Sequence, residues 1–340
     1  MILSLIILLA YLYACKTSSL SEYTPLYNKR GLTDFIKFMA AILIIIGHMA
    51  VGLKEITLLG SCCVSVFFFF SGYGLSHGYL TTGNKYMRGF VKKRLAKLLI
   101  PLLSAYCLYC IGYYCKYLDI DWNGVFVSLF TAFPFLPYSW FVSEIFIIYF
   151  IFYLAIMARN VFFPSCSREA DLIFVSVGVL LLIIFFIAID FPVWWTCDTF
   201  AFIIGLWLRK YEMEIMHFLK RRTIILMPIC LFFVCISARW DLISSFLSFR
   251  YGMDTSLYLL NISFMLSALS VLALWDINII HKKIYGCSYE LYLNQGFVFL
   301  IIGFLPPPRL PNWCLGLCLA IVIGYIMYKG NDKIIRIIRK

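Results

Sequence analysis

The sequence predicts an all-α protein, a polytopic transmembrane helical bundle of about ten core spans with an extra N-terminal helix. Three observations predict it. Of 340 residues, 63% are hydrophobic and only 14% charged, against roughly half and a quarter in a soluble domain. Apolar stretches of about eighteen residues or more, the length that crosses a hydrocarbon core, recur along the chain. The basic residues are also sorted: reading those stretches as spans leaves 23 of the 29 Lys and Arg on one set of alternate connections. That set faces the cytoplasm by the positive-inside rule. The net charge of +12 is thereby explained by topology and by contact with anionic headgroups, not by nucleic acid.

The elements follow in order. Residues 2–15 are apolar but lack a basic flank, and are read as an added short helix rather than a cleaved leader. Residues 1–29 are thus a hydrophobic helix and linker. Core spans are read at 31–53, 57–80, 97–115, 138–158, 171–190, 194–208, 223–238, 255–275, 285–304 and 312–328. Residues 329–340 form a basic amphipathic tail. Counting spans places the C-terminus in the cytoplasm and the N-terminus outside. Thirteen cysteines lie mostly within spans, where Cys acts as a small hydrophobe. No connection exceeds roughly twenty-five residues, too short for a separate core.

An ionisable residue inside a span marks a candidate site, because its insertion cost has to be offset by partners or an aqueous cavity. The first core span, "LTDFIKFMAAILIIIGHMAVGL", keeps Asp34, Lys37 and His48, with Arg30 just before it. At 100° per residue, Arg30 and His48 are about five full turns apart, Lys37 is offset from His48 by about 20°, and Asp34 by about 40°. The four therefore share one face. Lys37 and His48 are about 16 Å apart along the axis, which suits an elongated ligand with its charged end at the cytoplasmic side. A plain buried Asp34–Lys37 pair is the alternative.

Four other stretches add candidates. "WFVSEIFIIYF" places Trp140, Ser143 and Glu144 near the depth of His48. Glu144 either orients that imidazole as a carboxylate does for a general base, or contacts water at the outer interface. "MRGFVKKRLAKLLIP" offers Arg94 and Lys97 at i,i+3 as a phosphate clamp, while Lys92 and Lys93 read as topological anchors. "SVFFFFSGYGLSHGYL" supplies Ser71, Gly72 and Gly74, small enough for close helix or ligand approach. "SYELYL" contributes Tyr289.

Taken together, "RGLTDFIKFMAAILIIIGH", "SVFFFFSGYGLS", "FVKKRLAKLLIP", "WFVSEIFIIYF" and "SYELYL" resemble the acyltransferase-3 family of integral membrane acyltransferases. The resemblance covers nearly the whole chain and makes 30–328 the acyltransferase-like transmembrane domain. In that family an arginine, ten residues and a histidine mark the first core helix; here the positions hold Lys37 and His48. Lysine keeps the charge but loses the planar fork. The family's R-x-x-R stands as Arg94 and Lys97, and a histidine common after "SYxLYL" is Gln295.

What the resemblance implies is O-acyl transfer, with acetyl-CoA as donor and no metal. The acceptor it implies is a hydroxyl of a surface polysaccharide or lipid-linked glycan, at a bacterial inner membrane. Arg94, Lys97 and Lys37 would hold the donor phosphates. His48 would act as base or transient acyl acceptor, and Glu144 would orient it. Arg30, Asp34, Ser71, Trp140, Ser143 and Tyr289 would support. The chain resembles members lacking the fused extracytoplasmic hydrolase-like domain that others carry. A transporter or flippase for a lipid-linked saccharide is the rival reading; it often brings internal repeats, which the sequence does not display.

Overall fold

The computed structural model describes residues 23–49, 54–117, 119–130, 136, 138–164, 167–221, 232, 243, 245, 255–274, 279–302 and 310–339, and within them the regular elements are all helical. In chain order they are α1 (Arg30–Met49), α2 (Lys54–Thr82), α3 (Asn84–Arg88), α4 (Phe90–Tyr117), α5 (Trp122–Phe130), α6 (Trp140–Phe162), α7 (Arg168–Ala188), α8 (Phe200–Arg221), α9 (Thr255–Leu274), α10 (Ser288–Ile302) and α11 (Leu310–Arg339). Short 3₁₀ turns precede α1, α8 and α10. Gly83, at φ 57°, separates α2 from α3, a conformation that glycine adopts without a Cβ penalty. Glu169 and Asp171 occupy the first turn of α7, where carboxylates complement the helix dipole.

Seven of these helices are long and apolar enough to cross a membrane: α1, α2, α4, α6, α7, α9 and α11. The chain is a multi-pass helical protein. The expected count of about ten core spans is larger than this set, which is drawn from the described residues alone. The span read at 194–208 becomes α8, which starts at Phe200 and carries Arg209, Lys210, Glu212 and Glu214 within its length. Within the span read at 285–304, α10 is described over fifteen residues, Ser288–Ile302, and residues 303 and 304 lie outside the described residues. α10 is buried on nearly every side from Ser288 to Val298 and acts as a central pillar. The stretch 2–15 lies outside the described residues, as does 223–238 apart from residue 232. Residues 329–339 continue the last span as one uninterrupted helix.

The most extensive helix pairing joins α2 to α8, followed by α2 with α1 and α10 with α11. Glycine sets the first of these. A Cβ on Gly72 would lie 2.1 Å from the Phe202 carbonyl oxygen, and one on Gly205 would lie 2.1 Å from that of Phe69. The two backbones touch reciprocally, as small residues allow in membrane bundles. Gly72 in the "SGYG" stretch therefore serves helix contact. Gly205→Ala should force the pair apart and cost about 1–3 kcal/mol. The thermal midpoint in detergent measures this, and an unchanged midpoint would contradict the contact.

α8 bends at Tyr211, whose backbone is non-helical. The bend sends Glu212 inward, where it is 2% exposed. Its Oε1 accepts from the Tyr23 hydroxyl at 2.9 Å and the Leu26 backbone N–H at 2.6 Å, and its Oε2 accepts from the Tyr73 hydroxyl at 2.6 Å. The chain leading into α1 is thereby fastened to α2 and α8. Beside it, Arg209 donates to His77 Nδ1 at 2.9 Å and stacks over Tyr27, which itself stacks on His77.

A second buried polar lock ties α2, α6 and α7. Arg159 donates through both Nε and an Nη to the Asp171 carboxylate, and the Tyr79 hydroxyl donates to Asp171 Oδ2 at 2.5 Å. Arg159 is 6% exposed and Asp171 fully buried.

Candidate functional site

Arg30, Asp34 and Lys37 line one cavity of about 280 Å³ at the end of the bundle where α1, α4 and α10 begin and α11 ends. Lys97 and Pro101 of α4, Gly286 and Tyr289 leading into and opening α10, Glu290, and Tyr328, Asp332 and Ile335 of α11 complete the wall. Sequence periodicity puts the first three on one face, and the fold brings two further predicted residues, Lys97 and Tyr289, to them. The Tyr289 hydroxyl donates to the Leu98 carbonyl at 3.3 Å. Pro101 lacks the N–H that the Lys97 carbonyl would receive in a regular helix.

Two glycines shape the cavity. A Cβ on Gly31 would sit 1.8 Å from the Ile279 carbonyl oxygen, and one on Gly286 would sit 2.7 Å from the Tyr328 hydroxyl. Close approach at Gly31 carries the nearby His281 onto the site. Asp34 is the hub of the charges: Lys37 Nζ is 2.7 Å from Oδ1, and Arg30 Nε and His281 Nε2 are each 3.5 Å from Oδ2. The alternative of a simple Asp34–Lys37 pair is thus part of a larger cluster.

Three cations, Arg30, Lys37 and Lys97, face three carboxylates, Asp34, Glu290 and Asp332. Glu290 accepts from Asn331 Nδ2 at 3.3 Å, and Asp332 pairs with Arg336 at 2.6 Å. Glu290, Tyr328 and Asp332 are site residues that the sequence did not single out. The available signals are Glu290 next to Tyr289 within "SYELYL", and Asp332 as a lone acid amid the basic end of the last helix.

Arg94 is placed elsewhere. Its Nε takes the Tyr86 hydroxyl as acceptor at 3.0 Å, an Nη does so too, and its guanidinium lies 5.5 Å from the Tyr86 ring centre. That ring from α3 sits over Gly78, where a Cβ would be 2.3 Å from it. Burial pushes the Tyr86 phenol above its ordinary value, while the Arg94 charge opposes the shift. Arg94 and Lys97 therefore do not converge. A larger cavity, about 670 Å³ beside Arg88 and Asn160, is lined by none of the residues singled out from sequence.

His48 stands near the other end of α1, about 16 Å from Lys37 along the axis. Its imidazole packs on the Tyr138 ring, centroids 4.3 Å apart at 37°. Glu144 does not reach it. Fully buried, Glu144 Oε1 accepts from the Thr199 hydroxyl, and Oε2 has no partner among the described residues. The adjacent Asp198 accepts from Ser65 and from Asn261 Nδ2, the latter at 2.9 Å. Glu144 thus belongs to a polar network joining α2, α6, α8 and α9. Trp140 packs 5.9 Å from Trp195. Ser143 and Ser71 are half-buried and outside the cavity at the basic end. Among the described residues no group of three or more His, Cys, Asp or Glu is arranged to hold a metal ion.

The fold is thus a multi-pass helical bundle with a charged cavity at one end of α1 and a histidine near the other. Residues 33–329 match the acyltransferase-3 family profile, described as an acyltransferase domain. The chain belongs to that family and is an integral membrane acyltransferase by class. No curated protein and no solved structure matches it significantly.

Proposed function

We propose that the protein moves an acyl group, acetyl in the simplest case, from acyl-CoA to a hydroxyl of a surface polysaccharide or lipid-linked glycan at a bacterial inner membrane. The observation that carries this reading is the α1 face, with Arg30, Asp34 and Lys37 in a cavity at one end and His48 at the other. In this reading the basic end is cytoplasmic. Lys97, Lys37 and Arg30 hold donor phosphates there through charge-assisted hydrogen bonds. Asp34 keeps Lys37 and Arg30 from splaying.

The pantetheine arm runs along α1 toward His48. The imidazole takes the proton of the acceptor hydroxyl as its oxygen attacks the thioester carbonyl, and the CoA thiolate leaves. Glu144 and Asp198, through Thr199, Ser65 and Asn261, brace the surrounding helices. Acyl transfer from labelled acetyl-CoA in proteoliposomes tests the reading. Incorporation that depends on acceptor and on His48 supports it; transport of acceptor without label transfer would favour a flippase and sink it.

The phosphate role gives a separate expectation. Lys97→Ala should raise KM for acetyl-CoA by about 10-fold or more, as loss of a charged hydrogen bond worth roughly 1.5–3 kcal/mol implies. With acetyl-pantetheine, which lacks the nucleotide, wild type and variant should behave alike. Equal sensitivity to both donors would remove Lys97 from the phosphate site.

A further inference from the structure

We propose that Tyr138 is a positioning residue for His48, held in a strained backbone conformation by Tyr292 for that purpose. The inference rests on the reading of His48 as the base. Tyr138 lies at φ 66°, in the left-handed region that bulky L-residues rarely adopt unless their surroundings enforce it. The enforcing contacts are on both sides of it. The Tyr292 hydroxyl donates to the Tyr138 carbonyl. Tyr292 is 3% exposed and packs edge-on against Phe141, so its hydroxyl has a fixed address. On the other side, Leu136 is fully buried and accepts from Ser139 Oγ at 2.8 Å, which closes the turn.

The Tyr138 side chain is 41% exposed, and a glycine would adopt the same φ without a Cβ clash. What the ring does is lie against the His48 imidazole, with Phe299 edge-on at 5.8 Å behind it. Imidazole rotation about its side-chain bonds is limited on that side. Among the described residues no hydrogen bond or ion pair holds the His48 ring, so the aromatic contact is its orienting element. The arrangement also gives "SYELYL" a part in the chemistry, because Tyr292 of that stretch reaches His48 through one carbonyl.

Three variants in proteoliposomes, Tyr138→Gly, Tyr138→Phe and Tyr292→Phe, provide the test. Tyr138→Gly relieves strain but also removes ring contacts, so kcat should fall by on the order of 10- to 100-fold, the scale of a mispositioned catalytic group, and by more than any change in the thermal midpoint accounts for. KM for acetyl-CoA should not change. Tyr138→Phe, which keeps the ring, should retain activity. Tyr292→Phe should lower kcat and add little in combination with Tyr138→Gly. Diethyl pyrocarbonate should label His48 faster in Tyr138→Gly than in wild type, read by mass spectrometry. Wild-type kcat in Tyr138→Gly, activity lost only in step with the midpoint, or an unchanged labelling rate would each overturn the proposal. If His48→Ala itself retains transfer, the base assignment fails instead.

Discussion

Replacing Asp171 by alanine should destabilise the bundle by about 3–5 kcal/mol, the cost of removing the carboxylate from a buried ion pair, although Arg159 keeps its 3.2 Å bond to the Tyr79 hydroxyl. Arg159 is only 6% exposed, and the substitution strips its guanidinium of both carboxylate oxygens. The Tyr79 hydroxyl loses its acceptor at the same time. Three helices meet at this point, α2 through Tyr79, α6 through Arg159 and α7 through Asp171. The loss should therefore appear as cooperative loosening of the α6–α7 pair rather than as local fraying. Replacing both ions together, Arg159→Met with Asp171→Leu, should recover much of the stability, since an apolar pair of similar size can substitute for a buried ion pair. Denaturant titration in micelles reads both. A double variant as unstable as the single one would show that the charge imbalance is not the cause.

The other large effect falls on activity. His48→Ala should reduce acyl transfer by about 10²–10⁴-fold, the usual contribution of a general base, with the protein still folded. The fold should survive because His48 is only half-buried and its described contact is a ring packing on Tyr138. His48→Gln, which keeps a polar group of similar reach but cannot accept a proton at neutral pH, should be equally inactive. KM for acetyl-CoA should hold in both variants, because the charged cavity proposed for the donor phosphates is about 16 Å away along α1. Transfer within twofold of wild type in either variant would remove His48 from the chemistry.

The first helix is readable from sequence because a single α-helix has a known angular period. Arg30, Asp34, Lys37 and His48 fall on one face by arithmetic, and three of them do line one cavity. Relations between helices are not readable in that way. Glu144 and His48 share a depth in the sequence reading, yet depth carries no azimuth, and Glu144 turns to Thr199 while His48 turns to Tyr138. Arg94 and Lys97 are helical neighbours, but Tyr86 from the short helix after Gly83 captures the guanidinium. No property of the α4 sequence announces that capture.

Where a helix is buried all round, periodicity fades altogether. α10 is buried on nearly every side from Ser288 to Val298, so its hydropathy does not mark which face meets the cavity. Glu290 is hidden for the same reason, as one acid among the buried Ser288, Asn294 and Gln295 of that stretch. Asp171 and Arg159 read from sequence as a span terminus and a loop anchor. Their pairing depends on α6 and α7 folding back on each other, which hydropathy does not encode.

The unbroken course of α11 has a consequence for ligand size. A Cβ on Gly316 of α11 would lie 2.4 Å from the Met49 side chain, next to His48, while Tyr328, Asp332 and Ile335 of the same helix wall the charged cavity. From Gly316 to Asp332 the helix rises about 24 Å. α1 and α11 thus run between the same two stations, and each stays a continuous helix over that interval. Together they act as a ruler. If, as proposed, the cavity anchors the donor, this ruler measures it, and an arm one helical turn too short would stop about 5.4 Å from the imidazole.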